Sequence, residues 1–271
     1  MIKRVRMYKG ILNKMRAVET DSSINYSLDL GGEIVSPNDW IGKNITIDFL
    51  DEIYCCKCHK KVKQVYMSGY CYSCYKNSPE TDENIFKPEL DMAHLGISRD
   101  MNWAKEVSLK KHFVYLANTG EVKVGVTREA NIPSRWINQG ADSAIIIAEA
   151  PNRHIAGCIE VYLKKFFSDK TKWKKMLSSS NEDINLEEQR NIAFSKIHPV
   201  LKNFLTDEFK TKYLNFPVSI YPEHILQTQK LKKNKSIKGK LIGIKGQYFI
   251  FESGDVMNIS SHAGFLVNIS F

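Results

Sequence analysis

The residues that most constrain this chain lie between positions 112 and 167, where the hydrophobic period changes repeatedly in a short space. The run HFVYLANTGEVKVGVTR alternates in two segments, 112–117 and 121–126, around Asn118-Thr119-Gly120. Asn and Gly tolerate the left-handed backbone of a tight turn, so the two segments predict a β-hairpin. Pro133 to Asn138 predicts a short helix stopped by Gly140, Ala144 to Ala148 a buried strand, and Pro151 to Phe167 a longer helix. On that helix Ile155, Ile159, Tyr162 and Phe166 make one apolar stripe, while Arg153, Gly157, Glu160 and Lys164 fall on the other face.

In order and in residues this stretch resembles the GIY-YIG endonuclease superfamily. Phe113-Val114-Tyr115 stands at the first tripeptide, Lys123-Val124-Gly125 at the second, Arg135 at the catalytic arginine and Glu160 at the metal-binding glutamate. The resemblance implies that Tyr115 helps to activate water, Arg135 stabilises the charged phosphate, and Glu160 holds a divalent cation such as Mg2+ or Mn2+. Two positions depart from the pattern: Lys123 replaces the second tyrosine, and Gln139 stands where the family often has histidine. A lysine is a charged donor at neutral pH unless its pKa is strongly depressed, so Lys123 suits holding a phosphate better than accepting a proton. Plain structural roles exist for the same residues, Tyr115 as a core aromatic and Glu160 as the partner of Lys164 four positions on. If the resemblance has chemical content, Tyr115, Lys123, Arg135 and Glu160 converge on one open cleft. Tyr115 then points to solvent within it, Gly157 leaves room beside Glu160, and Arg153 borders it as a second phosphate contact.

Over most of its length the chain is also similar to a bacterial family, domain of unknown function 2797. The similarity runs through VYLA…KVGVTR…IPSRWINQGA…NRHIAGCIEVYLKKFFSDKTKWKKML, the cysteine block before it, and KPEL…HLGISRD between them. It brings no activity with it.

The strongest chemical signal outside this stretch is YCCKCHKKVKQVYMSGYCYSCYKN. Cys55 and Cys58 make one Cys-x-x-Cys pair and Cys71 and Cys74 another, with twelve residues between the pairs. Two such turns brought together place four thiolates about one zinc ion, as in zinc ribbons, and a closed site of that kind contributes folding energy rather than chemistry. Cys56 is a spare thiol or an alternative ligand, His59 is a substitute ligand, and a pair of disulfides is the competing reading. Cys158 sits near the apolar stripe of its helix and reads as a buried, inert thiol. Lys57, Lys60, Lys61 and Lys63 with Tyr66, Tyr70, Tyr72 and Tyr75 either grip phosphate and stack on bases or cover the ribbon's thin core.

The formal charge of +9 and pI near 9.1 favour a polyanionic partner, because lysines that neutralise phosphates release condensed counterions. DNA and RNA are not distinguished. Arg128, Arg153, Lys170, Lys172, Trp173 and Lys174 form one candidate nucleic-acid contact, and Lys232, Lys233 and Lys235, in the run Lys230 to Lys240, another. The N-terminal run lacks an apolar core of signal-peptide length and no segment is long enough to span a membrane, so the expectation is a cytoplasmic protein without membrane contact.

The fold class expected is α+β. Its parts are a small antiparallel β domain at 1–54, a zinc ribbon at 55–76, a connector at 77–111 and a GIY-YIG-like core at 112–178 with a three-stranded sheet and helices. A helical segment at 179–214 and a C-terminal β domain with a basic loop at 215–271 complete it. The connector's His94, Gly96, Arg99 and Asp100 close over the neighbouring site or tie the connector together by salt bridges. Acidic residues from Glu182 to Glu188 precede an amphipathic stretch over 186–210, which Pro199 interrupts. Three functions remain: a zinc-containing nucleic-acid-binding protein that cuts phosphodiesters with a divalent cation, a binding module whose nuclease core has lost its chemistry, and a small-molecule enzyme reusing the fold.

Overall fold

The structure is a computed structural model that describes residues 6–21, 23–178, 184–222, 224 and 227–271. It is a mixed α+β chain with several antiparallel sheets, divided into two units. One takes its described residues from Met1–Lys76, Leu177–Ser179 and Asn215–Phe271, the other from Asn77–Met176 and Ser180–Leu214.

The first unit is built on an antiparallel sheet ordered Met7–Ile11, Phe265–Ser270, Asn44–Tyr54, Ser236–Lys245, Tyr248–Phe251 and Val256–Asn258, with Lys61–Val62 pairing off Asn44–Tyr54. The segments expected to form separate N- and C-terminal β domains therefore share one sheet. The reason lies in Asn44–Tyr54, a strand with both edges to satisfy. Ile45, Ile47 and Phe49 alternate inward as its period-two pattern requires, and Ile47 lies between Ile237 and Ile269 of its two neighbours. A second, smaller sheet joins Arg16–Glu19, Ile24–Leu30 and Glu33–Val35, the last two linked by Gly31 and Gly32, both at positive φ. The stretch expected as a basic loop, Lys230 to Lys240, is instead a short helix, Leu231–Asn234, followed by the start of the strand Ser236–Lys245. Ile237 and Leu241 supply that strand's buried face, and the lysines between them project from a strand already committed to pairing.

In the second unit the sheet order is Lys212–Tyr213, Ser143–Ala150, His112–Asn118 and Val122–Arg128, all antiparallel. His112–Asn118 is paired on both sides and buried along its whole length. Val122–Arg128 is the edge strand. Gly120, at φ 84°, closes the hairpin between them, and its N–H donates to the Asn118 side chain (3.0 Å). The alternation of the hairpin decides what each face meets. Val114, Leu116, Val124 and Val126 pack under the helix Arg153–Leu163 through Ala156, Ile159 and Leu163. Phe113 and Tyr115 point the other way, Phe113 toward Phe209 and Tyr115 toward Trp136 of the helix Ser134–Asn138. The amphipathic stretch is broken as Pro199 requires, into the helix Leu186–Lys196 and a 3₁₀ turn, Pro199–Phe204. Ile192 and Val200, two of the apolar residues of that stretch, are exposed; Glu182 lies outside the described residues.

The connector is a string of 3₁₀ turns ending in the helix Met101–Val107, whose first turn is capped by the Asp100 side chain accepting from Trp103 N–H (3.0 Å). It folds onto the helix Arg153–Leu163, where the backbone of Pro88 and Glu89 lies so close to Gly157 that a Cβ there has no room. No helix among the described residues is long and apolar enough to cross a membrane.

Candidate functional site

The edge strand, the two helices and the connector of the second unit enclose a cleft of about 300 Å³. Lys123, Gly125 and Val126 come from the strand, Arg135 and Gln139 from the short helix, Arg153, Glu160 and Lys164 from the long one, and Ile85 to Pro88 from the connector. Asp169 and Lys170 complete the wall, held there because Ser168 bridges to the edge strand and accepts from Val124 N–H (2.8 Å). Five cationic side chains thus face two carboxylates.

Lys123 is 5% exposed, and its ammonium donates to Thr171 Oγ1 at 3.3 Å. Burial, reinforced by the nearby Arg135 guanidinium, pulls its pKa down to about 8, so a substantial minority of the amine is neutral near pH 7.5. Glu160 is 9% exposed and its carboxyl is held above the usual range by burial, opposed by Lys164. The Lys164 ammonium lies between Glu160 (3.4 Å) and Asp169 (3.5 Å) and bridges the two carboxylates. Arg135 is anchored through Gln139. In the orientation that satisfies both neighbours, the Gln139 oxygen accepts from Arg135 Nε (3.1 Å) and Nη2 (3.2 Å), and its amide nitrogen donates to the Tyr115 hydroxyl (2.8 Å).

Tyr115 corrects one expectation outright. It is completely buried, does not line the cleft, and its phenol is held above its ordinary pKa, chiefly by burial. The cause is its place on the central strand: the ring is closed in by Trp136 in a T-shaped contact (5.9 Å) and by Gly125, where a Cβ would approach its hydroxyl to 2.6 Å. A tyrosine so placed orients Gln139 and, through it, Arg135. Gly157 gives no room beside Glu160 either, because the connector fills it. Arg153 borders the cleft but spends its guanidinium on the connector, donating to Asn84 O (3.2 Å) and Ile85 O (2.9 Å) and facing Asp91 at 3.9 Å. The roles of Lys164 and Asp169 in the cleft went unread in the sequence; only the four-residue spacing of Glu160 and Lys164 hinted at the first.

The proposed nucleic-acid contacts divide. Lys170 is exposed at the rim of the cleft, whereas Lys172 is paired with Glu121 (3.0 Å), Lys174 covers the Trp173 ring (5.7 Å), and Arg128 donates to Glu106 O (3.2 Å). Lys232 and Lys233 are exposed, but Lys235 is paired with Asp51 and lies over the Phe49 ring (5.1 Å).

In the first unit the thiols of Cys55, Cys58, Cys71 and Cys74 all lie within 4.8 Å of one another, the only such group of His, Cys, Asp or Glu among the described residues. The first turn is tied by Cys55 N–H to Lys60 O (3.0 Å) and His59 N–H to Cys55 O (2.9 Å), and Lys61–Val62 pairs back onto Ile53 and Tyr54. Burial works against the Cys55 thiolate, yet N–H donors from Cys58, Cys71 and Lys57 win and bring its pKa to about 6. Four soft sulfurs, with backbone donors already aimed at that of Cys55, fit a tetrahedral ion such as zinc. All six cysteines are free. Cys56 stands outside the cluster, its thiol pushed up to about 11 by burial, and His59 is a turn residue at φ 58°. Three tyrosines of this segment meet one another, Tyr66 stacked on Tyr75 and tilted by 60° against Tyr72, both at 5.6 Å.

A family model described as "Protein of unknown function (DUF2797)" matches residues 42–267. No curated protein and no solved structure matches the chain.

Proposed function

The chain belongs to the DUF2797 family, and we propose that it is a zinc-stabilised nucleic-acid-binding protein in which the cleft of the second unit receives a backbone phosphate. The observation that carries this reading is the meeting of Lys123, Arg135 and Lys170 in one cleft, with Arg135 held by Gln139 so that its outer edge is free to fork onto phosphate oxygens. Four thiolates about zinc hold the ribbon-like segment of the other unit folded and supply no open coordination position. The test is fluorescence anisotropy of labelled single- and double-stranded DNA and RNA across a salt series. Affinity falls steeply as salt rises if phosphates are the contact; binding indifferent to ionic strength, or absent at low salt, removes the reading.

Phosphodiester cleavage in a GIY-YIG-like core is the second reading, and one observation favours it: Glu160 and Asp169 converge on the Lys164 ammonium, a cation held between two carboxylates. Mg2+ or Mn2+ taken there would offset charge at the scissile phosphate. Tyr115, buried and bonded to Gln139, orients this site rather than activating water. A Mg2+- or Mn2+-dependent cleavage assay beside Glu160→Ala separates the two: binding without cleavage leaves the module reading standing alone.

A further inference from the structure

The connector walls a second hollow, of about 710 Å³, that the phosphate cleft does not use. Its sides are apolar and exposed to solvent: Leu90, Met92, Leu95 and Ile97 are each about half exposed or more. Large apolar side chains gathered round a concavity favour a ligand with an apolar body. At the hollow lie His94 and His154, their rings 4.5 Å apart and tilted by 32°.

Three of its lining residues each bury a polar atom that finds no hydrogen-bond partner among the described residues: Asn84 Oδ1, Glu89 Oε2 and His154 Nδ1. Buried polar atoms are ordinarily paired, so three on residues that line one hollow ask for a partner from outside, which reaches them once the side chains that close them off turn aside. The amide and carboxylate oxygens can only accept, which makes the missing partner a donor. The neighbouring polar groups are already committed. Arg99 is paired with Asp82 (3.0 Å) and donates to Ser78 O (3.1 Å), Asp100 caps the next helix, and the His154 Nε2 side faces the Cys158 thiol at 3.6 Å. A bound metal ion is disfavoured, since His94, His154, Cys158 and Glu89 do not bring three ligand atoms within 4.8 Å.

An apolar body that can lie against two imidazole rings, N–H donors and room for one ring system together describe a nucleobase. We propose that this hollow binds a nucleobase bearing an exocyclic amine, with the amine donating to Glu89 and Asn84 and the ring lying against the His94–His154 pair. Acceptance by a carboxylate from the cytosine amine, and stacking of bases on histidine, are established modes of base recognition. Uracil would turn a carbonyl toward these oxygens. The inference leans on the proposed nucleic-acid function only for the source of the base: an unpaired base of a bound strand or a free nucleotide offers the same chemistry.

The test is titration of the full chain with AMP, CMP and UMP, followed by the histidine ring resonances, and in parallel with short A-, C- and U-runs of RNA by anisotropy. AMP and CMP should bind at least about tenfold more tightly than UMP, the scale that one stacked and hydrogen-bonded base supplies. They should shift the His94 and His154 signals, and His94→Ala and Glu89→Gln should each remove the discrimination. Discrimination among mononucleotides assigns a free nucleotide as sufficient ligand; discrimination among oligonucleotides alone assigns a strand. A salt-dependent phosphate contact that persists in both variants keeps the cleft reading intact whatever happens here. Equal or absent binding of the three bases in both formats overturns the proposal, as does unchanged discrimination in both variants, or ions such as Ni2+ perturbing the two histidines while bases do not.

Discussion

The four-thiol cluster and the Lys123–Arg135–Glu160 cleft both gather polar groups that would be expensive to bury singly, and they meet that cost in opposite ways. The thiols come from a turn and the start of a short helix, Tyr72–Asn77, of one segment and lie against one another, and Cys55 draws donors from that segment's own backbone. The cleft draws its groups from three or more elements and leaves cation in excess over carboxylate. A site that closes on itself can spend its free energy only on folding. One that remains open and unbalanced is stabilised further when a ligand supplies the missing charge. On the function we propose, the first is structural and the second serves recognition.

That contrast is tested most severely at the cysteines. Cys71→Ser should abolish stoichiometric zinc and unfold the segment, since structural zinc in such peptides contributes on the order of 10 kcal/mol of apparent binding free energy. Metal analysis and a thermal melt read both, and a variant that melts like the parent without metal would put the cluster on the same footing as the cleft. Acid probes the other unit through His112, at the start of the central strand. Its Nδ1 faces Lys110 O (2.8 Å) and its Nε2 is buried without a partner among the described residues; burial lowers its pKa from 6.5 to about 4. The folded chain therefore prefers the neutral ring, so stability is intact above about pH 6.5 and lost as pH falls toward 4, by on the order of 3 kcal/mol in full. Denaturant midpoints for the parent and His112→Gln across that window should diverge, the variant giving the flatter profile.

Arg135→Ala should weaken nucleic-acid binding by roughly tenfold and lower the salt slope by about one, while leaving zinc content and melting temperature nearly unchanged. Gln139→Leu should reproduce part of that loss, since it frees the guanidinium from its brace. The smallest effect sharpens the contrast most. Lys123→Met should raise stability by about 1 kcal/mol, because a buried amine gives way to an apolar chain of similar length, while anion affinity drops a few fold. A cleft residue whose removal helps the fold has the signature of recognition, and no ligand of the thiol cluster should behave that way.

What was legible in the sequence were features that one segment decides for itself. The paired cysteines, the hairpin at Asn118-Thr119-Gly120, and the strand Ser143–Ala150 all follow from local spacing and turn chemistry. Tyr115 was misread because exposure depends on which strand sits in the middle, and nothing in HFVYLAN says that both its edges will be covered. The run 230–240 was misread as a loop for a related reason: its lysines are solvated, and nothing marks it as a strand until Ile237 is found opposite Ile47, nearly two hundred residues earlier in the chain. The hollow lined by His94 and His154 joins residues sixty positions apart, and only the fold of the connector over Gly157 brings them together.

The position of Lys123 on an edge strand also bears on how copies of this chain avoid one another. Val122–Arg128 pairs on its outer side with no strand among the described residues and is covered there by Ser168 at one point, and edges of this kind invite another sheet to add on. An inward-pointing charge is one of the devices that make such addition unfavourable, since a docking strand would seal off an ammonium that is already buried from what contact with water it keeps. The same lysine that weakens the fold therefore guards against aggregation, and the more stable Lys123→Met protein should be the one that precipitates first on concentration.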